Sequence, residues 1–210
     1  MLNSNVSAKT LLQTVLSEIR RKERVCLFID NSDLFGAVQS SQTTYGKRVD
    51  YIKLRDVLSE GRSVNSSRFY YSEPAYPRDA TSDEAQEAAA AAKKRQSFYY
   101  VLQRAGYTTV SLPQRDYDDD LGLEIEIVYD MCAASMDGKF DTIILVAGNE
   151  DYARTISRLR QDTGISVDVA FFANSCSYRL RQAANRFIDL TEERISEEIF
   201  RNLDREERSE

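Results

Sequence analysis

Short apolar runs alternate with segments of helical periodicity along most of this chain. Two of the runs, Val25–Ile29 and Thr142–Val146, consist of uninterrupted apolar or β-branched residues. Such runs are typical of strands that are buried on both faces of a parallel sheet. Because parallel neighbours are joined by crossover connections that are usually helical, the alternation predicts one α/β domain whose mainly parallel sheet is covered by helices on both faces.

Six strands and the helices between them can be placed on the sequence. The predicted strands lie at about 24–30, 67–71, 107–112, 141–147, 166–172 and 187–190. The predicted helices cover about 51–59, 82–105, 122–135, 150–161 and 176–184, with a further one through Leu34 and Phe35. Thr81 and Glu84 have the spacing of a capping box, and Gly106 stands where a helix C-cap is expected.

Two segments fall outside this alternating pattern. Residues 1–23 include an amphipathic helix over 7–22, and residues 192–210 are predicted to form a charged C-terminal helix. The segment between them, 24–191, is long enough to bury a sizeable core as one domain. The sequence allows a homodimer that forms through the two terminal helices.

The composition indicates an ordinary globular protein. Hydrophobic residues make up 42% of the 210-residue chain, which contains three prolines. No stretch approaches the ~20 apolar residues of a membrane span, and no apolar signal region follows the start. The three cysteines, Cys26, Cys132 and Cys176, show no metal-ligand spacing. An odd number of cysteines without a secretion signal favours reduced thiols and a cytoplasmic location.

The net charge says little about partners. The formal charge is −6, and residues 192–210 alone contribute eight acidic and four basic side chains. The remainder is therefore close to neutral, and it contains basic groups such as Lys93–Arg95. Because carboxylates gathered around a metal ion also lower the net charge, the acidic balance is compatible with a phosphate-bearing substrate.

Acidic and amide side chains follow two apolar strands at the point where each strand ends. Asp30 closes the first, and Asn149 and Asp151 come soon after the run that ends at Val146. Glu124 lies at the start of the helix that leads into that second strand. In open α/β sheets, ligands bind beyond the carboxyl ends of the strands. Carboxylates gathered there, in a chain without histidine, fit Mg²⁺ or Mn²⁺ better than Zn²⁺ and suggest metal-dependent phosphodiester cleavage.

Some of these acids also have a purely structural explanation. Asp at a strand–helix junction often caps the helix, and Ser32 and Asp33 compete with Asp30 for that role. Asp151 in the first turn of a helix is electrostatically favourable whatever its function. The sequence alone therefore leaves both the metal-ligand and the capping interpretation open for Asp30.

Three motifs and one long stretch point to a known family. The motifs are Asp30–Leu34, Leu121–Glu124 running on to Tyr129–Met131, and Leu145–Tyr152. They resemble the NYN branch of the PIN-like nuclease superfamily, specifically its LabA-like group. The stretch Val169–Leu190 is similar to that group almost residue for residue and is the most specific part of the likeness, which covers about 24–191.

The resemblance implies a PIN-like (Rossmann-like) three-layer α/β/α sandwich, a Mg²⁺ or Mn²⁺ ion, and cleavage of single-stranded RNA. By position, the implied catalytic residues are Asp30, Glu124, Asn149 and Asp151, of which Asp30, Glu124 and Asp151 would bind the metal. The residues expected to support them from behind are Ser32, Asp33 and Asp130. The group usually has Asp where Asn149 and Glu124 stand, so this site has one negative charge fewer.

Basic and aromatic side chains are candidates for RNA contacts, and two other functions compete with RNA cleavage. Candidates for gripping phosphates are Arg154, Arg158 and Arg179, although solvated helix faces explain them equally well. Candidates for stacking on bases or packing in the core are Tyr70, Tyr71 and Tyr178. The main rival is a PIN-like regulatory protein that binds RNA or a protein partner without cleavage. An aspartate-nucleophile phosphatase is disfavoured, because Ser32 stands where that chemistry needs a second acid.

Overall fold

A six-stranded parallel sheet is the centre of the fold. The structure, a computed structural model, describes residues 15, 16, 18, 22–41, 44, 46–73, 81–113 and 121–202. Its strands are β1 (Arg24–Asp30), β2 (Lys47–Val49), β3 (Ser63–Glu73), β4 (Thr108–Pro113), β5 (Thr142–Val146), β6 (Ser166–Phe171), β7 (Arg186–Asp189) and β8 (Phe200–Asn202). All five strand pairs of the large sheet are parallel. The predicted α/β fold with a mainly parallel central sheet is confirmed.

Helices connect the strands and flank the sheet. They are α1 (Asn31–Ser40), α2 (Tyr51–Ser59), α3 (Ser82–Arg104), α4 (Leu121–Met136), α5 (Tyr152–Thr163), α6 (Tyr178–Ala183) and α7 (Glu193–Ile199). The predicted capping box of α3 is present, with Thr81 and Glu84 hydrogen-bonded reciprocally. The helix ends at Arg104, and Gly106 follows it as predicted, with a φ of 91° that lets the N–H of Tyr107 turn back to the carbonyl of Leu102.

The order of the strands creates a switch point at the middle of the sheet. The spatial order is β4-β3-β1-β5-β6-β7. From β1 the chain moves to one side through β3 and β4, and then it returns to place β5 on the other side of β1. A crevice at the carboxyl ends of two such strands is where ligands bind in open α/β sheets. The residues that follow β1 and β5 therefore lie where a ligand is expected to bind.

The core confirms that the apolar runs are buried strands. Every residue of β5 is buried, and so is every residue of β1 after Arg24. Cys26 lies within β1, where burial raises the pKa of its thiol to about 11. Tyr70 and Tyr71 of β3 are also buried. Packing therefore explains Tyr70, whose ring is fully buried, whereas Tyr71 keeps 8% of its surface exposed.

The C-terminal segment differs from the sequence-based expectation. A helix was expected through 192–210, but α7 ends at Ile199 and the chain continues as β8, which pairs antiparallel with β2. Burial of Ile199 and Phe200 explains the change, because a strand at this point lets Phe200 pair with Val49 while its side chain packs on the domain. Residues 203–210 lie outside the described part of the chain.

The N-terminal helix falls largely outside the described residues. Of the predicted helix over 7–22, residues 15, 16, 18 and 22 are described, and these are helical. The division of the chain at residue 23 and the homodimer through the terminal helices stay predictions. Within the described residues, no helix is both long enough and apolar enough to cross a bilayer.

Candidate functional site

A polar cavity opens where β1 and β5 end side by side. Asp30 is the last residue of β1, and Asn149 lies three residues beyond the end of β5. The cavity measures about 380 Å³, and its polar lining includes Asp30, Ser32, Asp33, Glu124, Asn149 and Ser175. Three elements that are distant in sequence, α1, α4 and the loop after β5, thus bring predicted site residues into one cavity.

Asp30 is buried and anchored through both carboxylate oxygens. Its side chain is 3% exposed. Oδ1 accepts the backbone N–H of Asp33 at 3.2 Å, so the capping interpretation is confirmed for α1. Oδ2 accepts the hydroxyl of Tyr152 at 2.7 Å. A carboxylate offers about four lone-pair positions, so a side chain of this type can accept hydrogen bonds and bind a cation at the same time.

Tyr152 was not singled out from the sequence, although it ends one of the family motifs. Burial raises the pKa of its phenol, and the neighbouring negative charge of Asp30 raises it further. Tyr152 therefore stays protonated and donates to Asp30. This hydrogen bond holds the Asp30 carboxyl group in one orientation.

Asp33 joins the two strand ends. Its Oδ2 accepts the backbone N–H of Gly148 at 2.6 Å and that of Asn149 at 3.0 Å. The resemblance implies a supporting role for Asp33, and these two hydrogen bonds are consistent with that role. One carboxylate on α1 fixes the backbone of the loop that presents Asn149.

Asn149 is the hub of the cavity's polar contacts. Its Nδ2 donates to Oε1 of Glu124 at 2.5 Å and lies 3.4 Å from Oδ2 of Asp151. Its Oδ1 accepts the backbone N–H of Asp151 at 3.2 Å. The amide therefore points its positive end at two carboxylates and its oxygen away from them. In this conformation the Asn149 amide offsets part of the repulsion between the carboxylates of Glu124 and Asp151, which a cation would otherwise have to offset.

The donor set suits a loosely held hard cation. Asp30 and Glu124 supply carboxylate oxygens and Ser32 adds a hydroxyl, all of them on one cavity. Within the described residues, no group of three or more acidic or cysteine side chains is placed to hold a metal ion. Mg²⁺ commonly uses only one or two protein carboxylates and completes its shell with water and substrate phosphate. The residues present fit that mode of binding and not an all-protein cage.

Asp151 and Asp130 are not among the residues that line the cavity. Asp151 is exposed at the start of α5 and makes no side-chain capping bond there. Asp130 accepts the hydroxyl of Tyr70 at 2.6 Å and pairs with Arg68 at 2.5 Å. Asp130 therefore ties α4, the helix that also carries Glu124, to β3.

The three predicted phosphate-binding arginines do not share the acidic cavity. Arg154 and Arg179 line a separate depression of about 310 Å³ between α5 and α6. Arg179 also lies 3.4 Å from Glu150. Arg158 is exposed on α5. Tyr178, the remaining stacking candidate, is exposed beside them, and roles in RNA binding stay predictions for all four residues.

Gly148 is required by close packing as well as by the turn. A Cβ on Gly148 would stand 2.3 Å from Cε1 of Phe171, whose ring is buried. We expect Gly148→Ala to lower the free energy of unfolding by about 2 kcal/mol, because neither the ring nor the loop can move without losing other contacts. Urea denaturation measures the effect.

Gly36→Ala is the matched control for that change. A Cβ at Gly36 meets nothing within 4 Å, and the residue lies inside α1. Alanine there should leave stability unchanged or raise it by up to about 1 kcal/mol. Equal losses from both substitutions would contradict the packing explanation for Gly148.

Comparisons with known proteins agree with the fold. The family model for the NYN domain matches residues 24–192. Five solved chains match, among them the crystal structure of a protein of unknown function from Vibrio parahaemolyticus. That structure has a TM-score of 0.63 and 19% identity over 82% of this chain and 95% of its own, a likeness that shows the fold alone. Curated proteins give no match. The finer likeness to the LabA-like group stays a prediction.

Proposed function

Since this chain belongs to the NYN domain family of the PIN-like nuclease superfamily, we propose that it is a metal-dependent ribonuclease that hydrolyses single-stranded RNA. The observation that supports this most is the cavity at the switch point of the sheet, where Asp30 and Glu124 present carboxylates beside Asn149. Mg²⁺ or Mn²⁺ is the proposed cofactor, because the donors are oxygen atoms and the chain has no histidine.

Each polar residue of the cavity has a distinct task in this proposal. Asp30 and Glu124 would hold the cation, and Asp151 would approach it from the start of α5. Tyr152 would hold Asp30 in one orientation through the 2.7 Å hydrogen bond. Asp33 holds the loop that carries Asn149 by accepting two backbone N–H groups. Such fixed surroundings maintain ligand geometry during turnover.

The reaction itself is hydrolysis of a phosphodiester by water. A divalent ion, when bound, lowers the pKa of a coordinated water and stabilises negative charge on the phosphate. Glu124 would accept a hydrogen bond from the attacking water, while the Nδ2 of Asn149 would donate to a phosphate oxygen. For that donation, the Asn149 amide has to give up its present bond to Glu124, which is 2.5 Å long.

The bond between Asn149 and Glu124 also favours a second candidate function. An internal amide that neutralises the carboxylates reduces the need for a cation. A protein with such a site would bind RNA or a protein partner and regulate without cleavage. The two functions differ in one measurable property, which is hydrolysis of RNA.

The decisive experiment is cleavage of a labelled single-stranded RNA with Mn²⁺, Mg²⁺ or EDTA. We expect cleavage with either metal ion, none in EDTA, and a loss of at least about a hundredfold in Glu124→Gln, because a neutral side chain holds a cation far less well. Glu126→Gln is the matched control, since it makes the same change two residues along α4 at a residue that does not line the cavity.

Each outcome of that assay selects one function. Intact RNA with every metal ion, from protein whose circular dichroism shows it folded, would favour the non-catalytic regulator. Cleavage that persists in Glu124→Gln would remove Glu124 from the proposed site. A homodimer, which sedimentation velocity would detect, remains a separate proposal that neither result affects.

A further inference from the structure

An aromatic groove adjoins the acidic cavity. This groove measures about 790 Å³ and lies between α1, β2, the end of β3 and α3. Ser32 lines both the groove and the acidic cavity, so the two adjoin at this residue. Its most informative lining residues are Phe35, Lys47, Arg48, Arg95, Phe98 and Tyr99. The volume is within the range of roughly 300–1,000 Å³ that small-molecule sites occupy.

Two phenylalanines expose apolar rings in the groove. Phe35 on α1 is 58% exposed, and Phe98 on α3 is 38% exposed. Behind them Tyr71 and Tyr99 stack with ring centroids 3.7 Å apart, which gives the groove a rigid aromatic floor. Burial raises the pKa of Tyr99 to about 12, so this floor is uncharged at physiological pH. Flat apolar surfaces of this kind are complementary to flat ligands.

The charge of the groove is opposite to that of the neighbouring cavity. Lys47, Arg48 and Arg95 contribute to its lining, whereas no acidic side chain is among the described residues that line it. This is a local reversal in a chain whose formal charge is −6. A ligand that combines flat rings with negative charges satisfies both properties at once. A neutral apolar peptide satisfies only the first.

We propose that this groove binds the bases of single-stranded RNA next to the phosphate that enters the acidic cavity. The proposal rests on the proposed function and adds a substrate-binding site to it. Bases stack on aromatic side chains in single-strand binding proteins, and basic residues beside them contact the phosphates. The strand passes from groove to cavity at Ser32, where the two surfaces meet.

Binding measured without hydrolysis tests this proposal. Fluorescence anisotropy of a labelled oligouridylate in EDTA reports the dissociation constant whether or not the protein is a nuclease. Phe35→Ala should weaken binding about tenfold, because it removes a stacking surface. Arg95→Gln should weaken it by a similar factor and lower the slope of log affinity against log salt concentration by about one unit.

Two matched controls separate groove contacts from general effects. Tyr129→Ala removes an aromatic ring on α4 that is 69% exposed and does not line the groove. Arg104→Gln removes the same charge as Arg95→Gln from the last turn of the same helix, also outside the groove. Both controls should bind the oligonucleotide as the unaltered protein does.

An oligonucleotide with abasic sites supplies the second measurement. The unaltered protein should prefer the oligouridylate over the abasic strand, and Phe35→Ala should lose that preference while remaining folded. Three results would each overturn the proposal: no binding by the unaltered protein, equal losses in the controls, or unchanged binding in Phe35→Ala and Arg95→Gln. Unchanged binding in these two variants would favour a protein partner as the ligand of the groove. Groove-dependent binding without cleavage supports the groove and contradicts the nuclease.

Discussion

Asp30→Asn should lower the rate of RNA cleavage by at least about a hundredfold while the protein stays folded. The substitution preserves shape and keeps one oxygen that can accept the N–H of Asp33, so the cap of α1 survives. The Tyr152 hydroxyl can then rotate and accept from the new amide in place of donating to the carboxylate. What the substitution removes is the negative charge that a divalent cation requires. The measurement is single-turnover cleavage across a range of Mn²⁺ concentrations.

Asp50→Asn provides a control that isolates capping from catalysis. Asp50 caps α2 as Asp30 caps α1, with φ and ψ of −85° and 97° against −77° and 97°. Its side chain accepts the N–H of Lys53 at 3.1 Å, and it does not line the acidic cavity. Because asparagine caps a helix about as well as aspartate, we expect neither substitution to lower the free energy of unfolding by more than about 1 kcal/mol. If they also lowered cleavage equally, Asp30 would be a structural cap alone.

The fold was predictable from the sequence wherever an apolar run was long enough to show its period. The buried runs of β1 and β5 fixed the fold class, and the capping box at Thr81 fixed the start of α3. The three-residue strands β2 and β8 were missed because so short a segment has no detectable period. Their pairing depends on Phe200, whose burial is a property of the folded domain.

The individual residues of the acidic site were predictable from the sequence, but the hydrogen bonds between them were not. Sequence position showed that Asp30 and Asn149 follow strands, but it could not show that β1 and β5 are neighbours. The contacts that organise the site join Tyr152 to Asp30 and Asp33 to Gly148, across 122 and 115 residues. Such pairs are set by strand order and packing. The same reason explains why the aromatic groove, assembled from α1, β2, β3 and α3, gave no local signal.

Asn149→Asp should make the stability of the protein depend on divalent metal and should raise metal-dependent cleavage about tenfold or more. The present amide donates to Glu124 at 2.5 Å and lies 3.4 Å from Asp151. Substitution removes that donor and places a third carboxylate between the other two. Without metal the three charges repel, and we expect a loss of about 1–3 kcal/mol in the free energy of unfolding, similar to that of a buried group left without its partner.

Added Mn²⁺ or Mg²⁺ should reverse that loss in Asn149→Asp and raise its melting temperature more than that of the unaltered protein. The reason is mass action, since a ligand that binds only the folded state stabilises it by an amount that grows with the logarithm of its concentration divided by its dissociation constant. Asn185→Asp is the control, because it adds the same charge at an amide that does not line the acidic cavity. The oxygen of the Asn185 amide accepts the N–H of Val167. A metal-dependent stability gain without any gain in cleavage would show that Asn149 limits cation affinity but not the chemical step. Absence of both gains would mean that the amide does not occupy the position of a metal ligand.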